Sequence, residues 1–262
     1  MRRSFAIAAT LCAALALPAR AAAPAACPPA PDDAADDLGP LPHLAAALKS
    51  GTTLEILAVG SATMFPPGAV VAPEAARRAP GAAPAQPSQT GFPWQAARAL
   101  QTAIHGLTVE VTFIGRRGVT ADDMLLLVRQ ELPHKPYRLV LWQTGTVEAV
   151  NELPPDDFYQ TLADGAASVS AAGADLVLVD PQYSRFLAAN ANLEPYQSAL
   201  QAAAALPGVS LFHRFDIMRA WAGDGAIDLE RTPKAERPAM AQRLHACLGR
   251  ELARELLATV EE

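Results

Sequence analysis

Five apolar runs punctuate the chain, at 54–59, 107–113, 137–142, 174–179 and 209–212. They run on without strict alternation, as strands do when both faces of their sheet are buried. Between them lie stretches with apolar residues at helical spacing, at about 93–105, 120–131, 155–172 and 191–206. A last one, 235–260, carries Leu244, Cys247, Leu248, Leu252, Leu256 and Leu257 on one face. Strands that alternate with helices predict a parallel sheet covered on both sides by helices. The pattern breaks once, between Pro66 and Thr90, where six prolines fall among alanines and glycines directly after the first strand. That stretch is a loop insertion over the carboxyl end of the sheet, where open α/β folds place their sites. Two readings of it stay open, a lid and a disordered insertion.

The first residues change the picture of where the chain works. Arg2 and Arg3 precede an apolar stretch from Phe5 to Leu17, too short to span a bilayer, followed by small residues at Ala19, Ala21 and Ala23. Residues 1–23 are therefore expected to be a signal peptide. Residues 24–45, rich in Ala, Pro and Asp, are expected to be a disordered leader, and residues 46–262 the folded domain. The expected location is periplasmic or secreted, with no membrane span after cleavage. The remaining length suits one domain with a sizeable core.

A net charge of −6 argues against nucleic-acid binding. Cleavage would leave two cysteines, Cys27 and Cys247. An oxidising compartment permits them to pair, and nothing in the sequence shows whether they meet. No histidine has metal-ligand spacing with Cys or carboxylates, so no metal and no cofactor are expected.

Candidate chemistry gathers at strand ends. Gly60-Ser61, Gly115-Arg116-Arg117-Gly118 and Gly145-Thr146 close the first three strands, where backbone N–H groups are free to hold an oxyanion. Asp122, Asp123, Asp156 and Asp157 sit at helix starts and read as caps that favour the helix dipole. Arg116 and Arg117 read as a solvated rim that would also meet an anionic ligand.

Several stretches, in this order, carry a resemblance: "ILAVGSATMFPPGA", "FPWQAARAL", "RRGVTADDML", "LVLWQTGTVEAV", "ADLVLVDPQYSRF", "LFHRFDIMRAW" and "HACLGRELA". Together they resemble the SGNH (GDSL-type) hydrolase family, and within it a secreted bacterial group. The resemblance implies an α/β fold, a three-layer α/β/α sandwich with a five-stranded parallel sheet, flavodoxin-like. It also implies hydrolysis of acyl esters, often on carbohydrates or lipids. The family's site has a serine nucleophile after strand one, an oxyanion glycine after strand two and an asparagine in Gly-x-Asn-Asp after strand three. An Asp-x-x-His pair precedes the final helix. Histidine takes and returns the serine proton, aspartate orients it, and N–H donors hold the oxyanion.

Residue by residue, this chain departs from that pattern. The nucleophile position is Ala62, the asparagine position Val147 and the histidine position Ala239, whereas Gly118 keeps the oxyanion glycine. A methyl group cannot attack a carbonyl, and losing one member of such a unit removes most of the activity. The expectation is a catalytically degenerate member that acts by binding a glycan, an acylated ligand or an envelope protein. The alternative is an active esterase with a rearranged nucleophile, Ser61 or Thr63, served by His213 or His245. Otherwise Ser61 is a turn residue or helix cap, and His213 and His245 are packed histidines. His43, His105 and His134 lie outside the matched motifs. The expected binding residues are Gly118, Gly145, Thr146, Asp180, Gln182 and Tyr183, the last three from the family's pattern after strand four.

Overall fold

The computed structural model describes residues 26–31, 38–65 and 90–260. The expected signal peptide lies outside the described residues, as do 66–89 of the expected loop insertion. Five parallel strands form one sheet: β1 (Thr53–Val59), β2 (Thr108–Ile114), β3 (Leu139–Gln143), β4 (Asp175–Val179) and β5 (Val209–Phe212), in the order β2-β1-β3-β4-β5. Nine helices of α type lie among the described residues: α1 (Pro42–Ser50), α2 (Phe92–Ala103), α3 (Ala121–Glu131), α4 (Thr146–Val150), α5 (Pro155–Ala171), α6 (Arg185–Asn190), α7 (Glu194–Ala204), α8 (Arg214–Gly223) and α9 (Arg237–Ala258).

The continuous apolar runs are buried on both sides because successive residues of a strand point to opposite faces. Ile56, Ala58, Leu139, Leu141, Val177, Val179 and Phe212 meet α1, α2, α8 and α9. Leu57, Val59, Val140, Trp142, Leu176, Leu178 and Leu211 meet α3, α5 and α7. The register sets Ile56 between Val111 and Leu139. The sheet and its two helical layers are those expected.

The topology fixes where a crevice opens. From β1 the chain steps to β2 on one side, then returns past β1 to β3 on the other. The connections therefore part on opposite faces beside β1, at a switch point, and the carboxyl ends of β1 and β3 border the gap. At its edge, the backbone of Gly115 crosses that of Gly60. A Cβ on Gly115 would lie 1.9 Å from the Gly60 carbonyl oxygen, so only glycine permits the approach.

The leader expectation is corrected. Residues 38–45 are not disordered: Leu38, Leu41 and Leu44 are buried, and α1 begins at Pro42, a residue suited to the first helical turn. The Leu44 N–H donates to Asp175 Oδ2 at 2.8 Å, tying α1 to the start of β4. Further upstream, Cys27 is disulfide-bonded to Cys247 of α9, with Cα atoms 5.4 Å apart. Trp221 Nε1 donates to Pro29 O at 2.7 Å, and Arg243 Nη2 to Ala26 O at 3.0 Å, so 26–31 is a strap across α8 and α9. The alanine- and proline-rich composition that suggested disorder hid a few leucines and one cysteine with partners far along the chain. No helix among the described residues is long and apolar enough to cross a membrane.

Candidate functional site: a cavity at the switch point

A cavity of about 590 Å³ opens at the carboxyl ends of β1 and β3. Its floor is a hydroxyl–amide cluster. After Gly60 the chain makes a short 3-10 turn, Ala62–Met64, which brings Ser61 Oγ to 3.0 Å from Thr63 Oγ1. Thr63 Oγ1 donates to Gln143 Oε1 at 2.8 Å, and Gln143 Nε2 donates to Ser61 Oγ at 3.3 Å. Gln143 ends β3 and is buried. The partner that the fold presents to Ser61 from β3 is thus an amide, which has no basicity to take a proton.

One wall comes from the segment after β3. Thr146, Val147 and Val150 of α4 line the cavity, with Gly118 and Arg117 facing them from the β2–α3 loop. Glu148, also in the lining, is 2 % exposed. Its carboxylate accepts the N–H of Ala121 at 2.5 Å and that of Gly145 at 3.0 Å, locking the start of α3 to the turn before α4. Burial raises its pKa and those backbone bonds lower it, with burial the larger.

The opposite wall comes from α8 and α9. Met218, Leu244 and Leu248 are apolar, and Leu229 is the residue of the α8–α9 connection that reaches the cavity among the described residues. Between them sit Arg214 and His245. Arg214 is 1 % exposed, donates from Nη2 to Asp180 O at 2.9 Å, and lies 5.9 Å from the Phe92 ring centroid. Burial lowers its pKa to about 10 against the attraction of Asp180. His245 is buried, and its Nδ1 accepts the Phe92 N–H at 3.2 Å. Its pKa falls to about 3, first through burial and then through the neighbouring Arg214, while a backbone hydrogen bond with Phe65 pulls the other way. At neutral pH it is an uncharged imidazole held by backbone. Among the described residues no group of three His, Cys, Asp or Glu side chains is placed to hold a metal.

The sequence comparisons decide the family. A model of the Non-GDSL lipase-like family matches residues 26–262. The chain belongs to this family. No curated protein matches it in sequence. Among solved structures, it is similar to a two-domain esterase (CEX) active on acetylated mannans and co-crystallized with mannopentaose. The identity is 13 % and the TM-score 0.60, over 86 % of this chain and 55 % of the esterase. The chain thus spans just over half of that protein. It is also similar to TesA, at 18 % identity and a TM-score of 0.49, over 79 % of this chain and 98 % of TesA. A third neighbour is AlinE4, an SGNH-hydrolase family esterase, at 16 % identity and a TM-score of 0.47, over 66 % of this chain and 80 % of AlinE4. The likeness to the two-domain esterase shows that this Non-GDSL lipase-like chain shares its fold.

Against that family frame, the expected site residues separate. Ser61, Gly118, Thr146, Val147 and Gln182 line the cavity. Ala62 lies within the turn that carries Ser61 and Thr63. Gly145 stands behind the wall as the residue before α4. Asp180 does not line this cavity. It is buried beneath α8, its Oδ1 accepting the Phe215 N–H at 2.8 Å, and it borders a second, polar cavity of about 350 Å³ with His213, Gln197 and Arg219. Tyr183 also turns away, packing edge-on against Phe215 at 5.3 Å. Ala239 is exposed in the first turn of α9 and does not line the cavity, because the inward stripe of that helix begins at Ala241 and runs through Leu244, His245 and Leu248.

The chain has five histidines, all within the described residues. His245 alone lines the cavity. His213 borders the polar one. His43 acts on Asp175 at the amino end of β4, and His105 and His134 are exposed before β2 and β3, at the same far end. Gln143 and Arg214 were not anticipated. The signal for Arg214 was a charged residue at the head of the stripe Ile217, Met218, Trp221 and Ala222, in phase with their helical spacing.

Proposed function

We propose that this protein is a non-catalytic member of its family that works by binding a ligand in the cavity, in an exported compartment. The observation that carries this reading is the state of His245. It is the one imidazole at the cavity, its Nδ1 is occupied by the Phe92 N–H, and burial beside Arg214 holds its pKa far below neutrality. A general base must reach the hydroxyl it deprotonates and must accept its proton near the working pH. Ser61 instead bonds Thr63 and Gln143, and the α8–α9 connection offers the cavity a leucine. The Val147 side chain on the wall adds no donor for an oxyanion. The Cys27–Cys247 disulfide supports export, since such bonds persist in oxidising compartments.

The test is hydrolysis of short-chain nitrophenyl esters and labelling by a serine-reactive fluorophosphonate, for the wild type beside Ser61→Ala. The expected result is background turnover and no adduct in either. Wild-type turnover that Ser61→Ala abolishes would make Ser61 a nucleophile and overturn the reading. Fractionation of cells, with the mature N-terminus determined by mass spectrometry, checks the compartment.

A further inference from the structure

Arg214 is a charged side chain in the cavity wall that forms no direct ion pair with a carboxylate among the described residues. It is 1 % exposed, and its one hydrogen bond goes to a neutral carbonyl, Asp180 O. Nε, itself buried, has no hydrogen-bond partner among the described residues. Buried charges are ordinarily paired, because removing them from water is costly unless a counter-charge or a full set of hydrogen bonds compensates. Asp180 attracts the guanidinium from nearby, but its carboxylate makes no hydrogen bond to it. Asp180 uses Oδ1 on the Phe215 N–H and is itself pushed up to about 8 by burial. Glu148 spends both oxygens on the backbone of Ala121 and Gly145. A second cation, Arg117, stands at the rim.

The surface around Arg214 is apolar. Phe65, Met218, Leu229, Leu244 and Leu248 share its side of the cavity. Methionine fits such a wall to ligands of varied shape. The volume of about 590 Å³ is in the range of small-molecule sites. A guanidinium is suited to a carboxylate because its N–H groups match the two oxygens in one plane.

We infer that the cavity takes an amphiphilic monoanion, a carboxylate joined to an apolar body, with the anionic end against Arg214 and the body along the α8–α9 wall. This rests on the binding reading above and names the ligand class for that same cavity. Such a ligand carries the charge that a neutral ester lacks, so recognition here selects for a free acid.

The probe is octanoate, titrated calorimetrically into the intact protein at pH 7.5, beside its neutral isostere octanamide. Octanoate is expected to bind about tenfold more tightly than octanamide, the size of one charge-assisted contact. Arg214→Met is expected to erase that difference. Leu248→Trp, which fills the apolar wall and leaves Arg214 in place, is expected to weaken both compounds, and it carries the test if Arg214→Met does not fold. Equal affinities, no octanoate binding, a preference that survives Arg214→Met, or octanoate binding unchanged by Leu248→Trp would each overturn the inference. Ester turnover dependent on Ser61 would overturn the non-catalytic reading whichever way octanoate behaves, so the two failures are distinguishable.

Discussion

The backbone N–H of Phe92 donates to Nδ1 of His245 at 3.2 Å, across 153 residues of sequence. Phe92 is the first residue of α2, and Gly91 before it has no side chain with which to cap the helix. A helix start leaves N–H groups without partners, and His245 of α9 satisfies one of them from a distance. Through this bond His245 holds the start of α2 against α9. Replacing it by alanine leaves a buried N–H unsatisfied, so His245→Ala is expected to lower stability by about 1–3 kcal/mol. Urea unfolding followed by circular dichroism measures this, and an unchanged midpoint would show that the bond contributes little.

The pH dependence of stability separates two buried groups. His245 has a folded pKa of about 3 against 6.5 in the open chain. The unfolded state therefore binds more protons between those values, and the contribution of His245 is complete above 6.5 and lost as pH falls toward 3. Asp180 runs the other way. Its pKa is raised to about 8 from 3.8, so its contribution is complete below 3.8 and lost as pH rises through 8. Between 6.5 and 8 only the second operates of these two. Asp180→Asn, which keeps an oxygen for the Phe215 N–H, is expected to flatten the decline over that window relative to wild type. His245→Gln is expected to remove part of the acid-side loss. Glu148 and Asp175 are also raised by burial and act with the sign of Asp180, so the difference between variant and wild type is the quantity to read. An Asp180→Asn profile parallel to wild type from 6.5 to 8 would contradict the assignment.

Reduction of Cys27–Cys247 removes the covalent tie between the strap 26–31 and α9. The bond closes a sequence separation of 220 residues, and a cross-link of this kind contributes about 2–4 kcal/mol, chiefly by constraining the unfolded chain. Cys27→Ser and dithiothreitol are expected to lower the urea midpoint to the same extent. Additive effects of the two would mean that the reductant acts elsewhere.

How much of this was legible in the sequence depends on how local each cause is. The strands showed because burial on both faces makes a continuous apolar run, and their ends moved by no more than two residues. Ser61, Gly118, Thr146 and Val147 line the cavity because they follow the three strands beside the switch point. Asp180 and Tyr183 do not line it, since β4 lies one strand farther from that gap and only Gln182 of its loop reaches it. Helix α8 escaped notice because its buried stripe begins with an arginine. Arg214 and His245 meet at the cavity only through the packing of α8 and α9 on the sheet, which no local spacing records. Ala239 faces outward because the phase of a helix decides which residues point inward, and the buried stripe of α9 begins at Ala241.

Gly249 shows how tightly α9 is seated, and it carries the last prediction. A Cβ there would lie 2.3 Å from Gln95 Cβ, 2.7 Å from Phe92 O and 2.8 Å from Ala96 N. The two helices therefore touch along their backbones, one turn beyond His245. By helix propensity alone, alanine would favour α9 by about 1 kcal/mol. The contact outweighs this, because a methyl group forced against backbone must displace a whole helix. Gly249→Ala is expected to cost about 1–3 kcal/mol. Gly223, exposed at the end of α8 with nothing among the described residues within 4 Å of its would-be Cβ, is the control, and Gly223→Ala is expected to be neutral or mildly stabilising. If both variants gain stability in thermal unfolding, α2 and α9 are not held at backbone contact. If only Gly249→Ala loses it, the seat that brings His245 to Phe92 is the close approach that glycine allows.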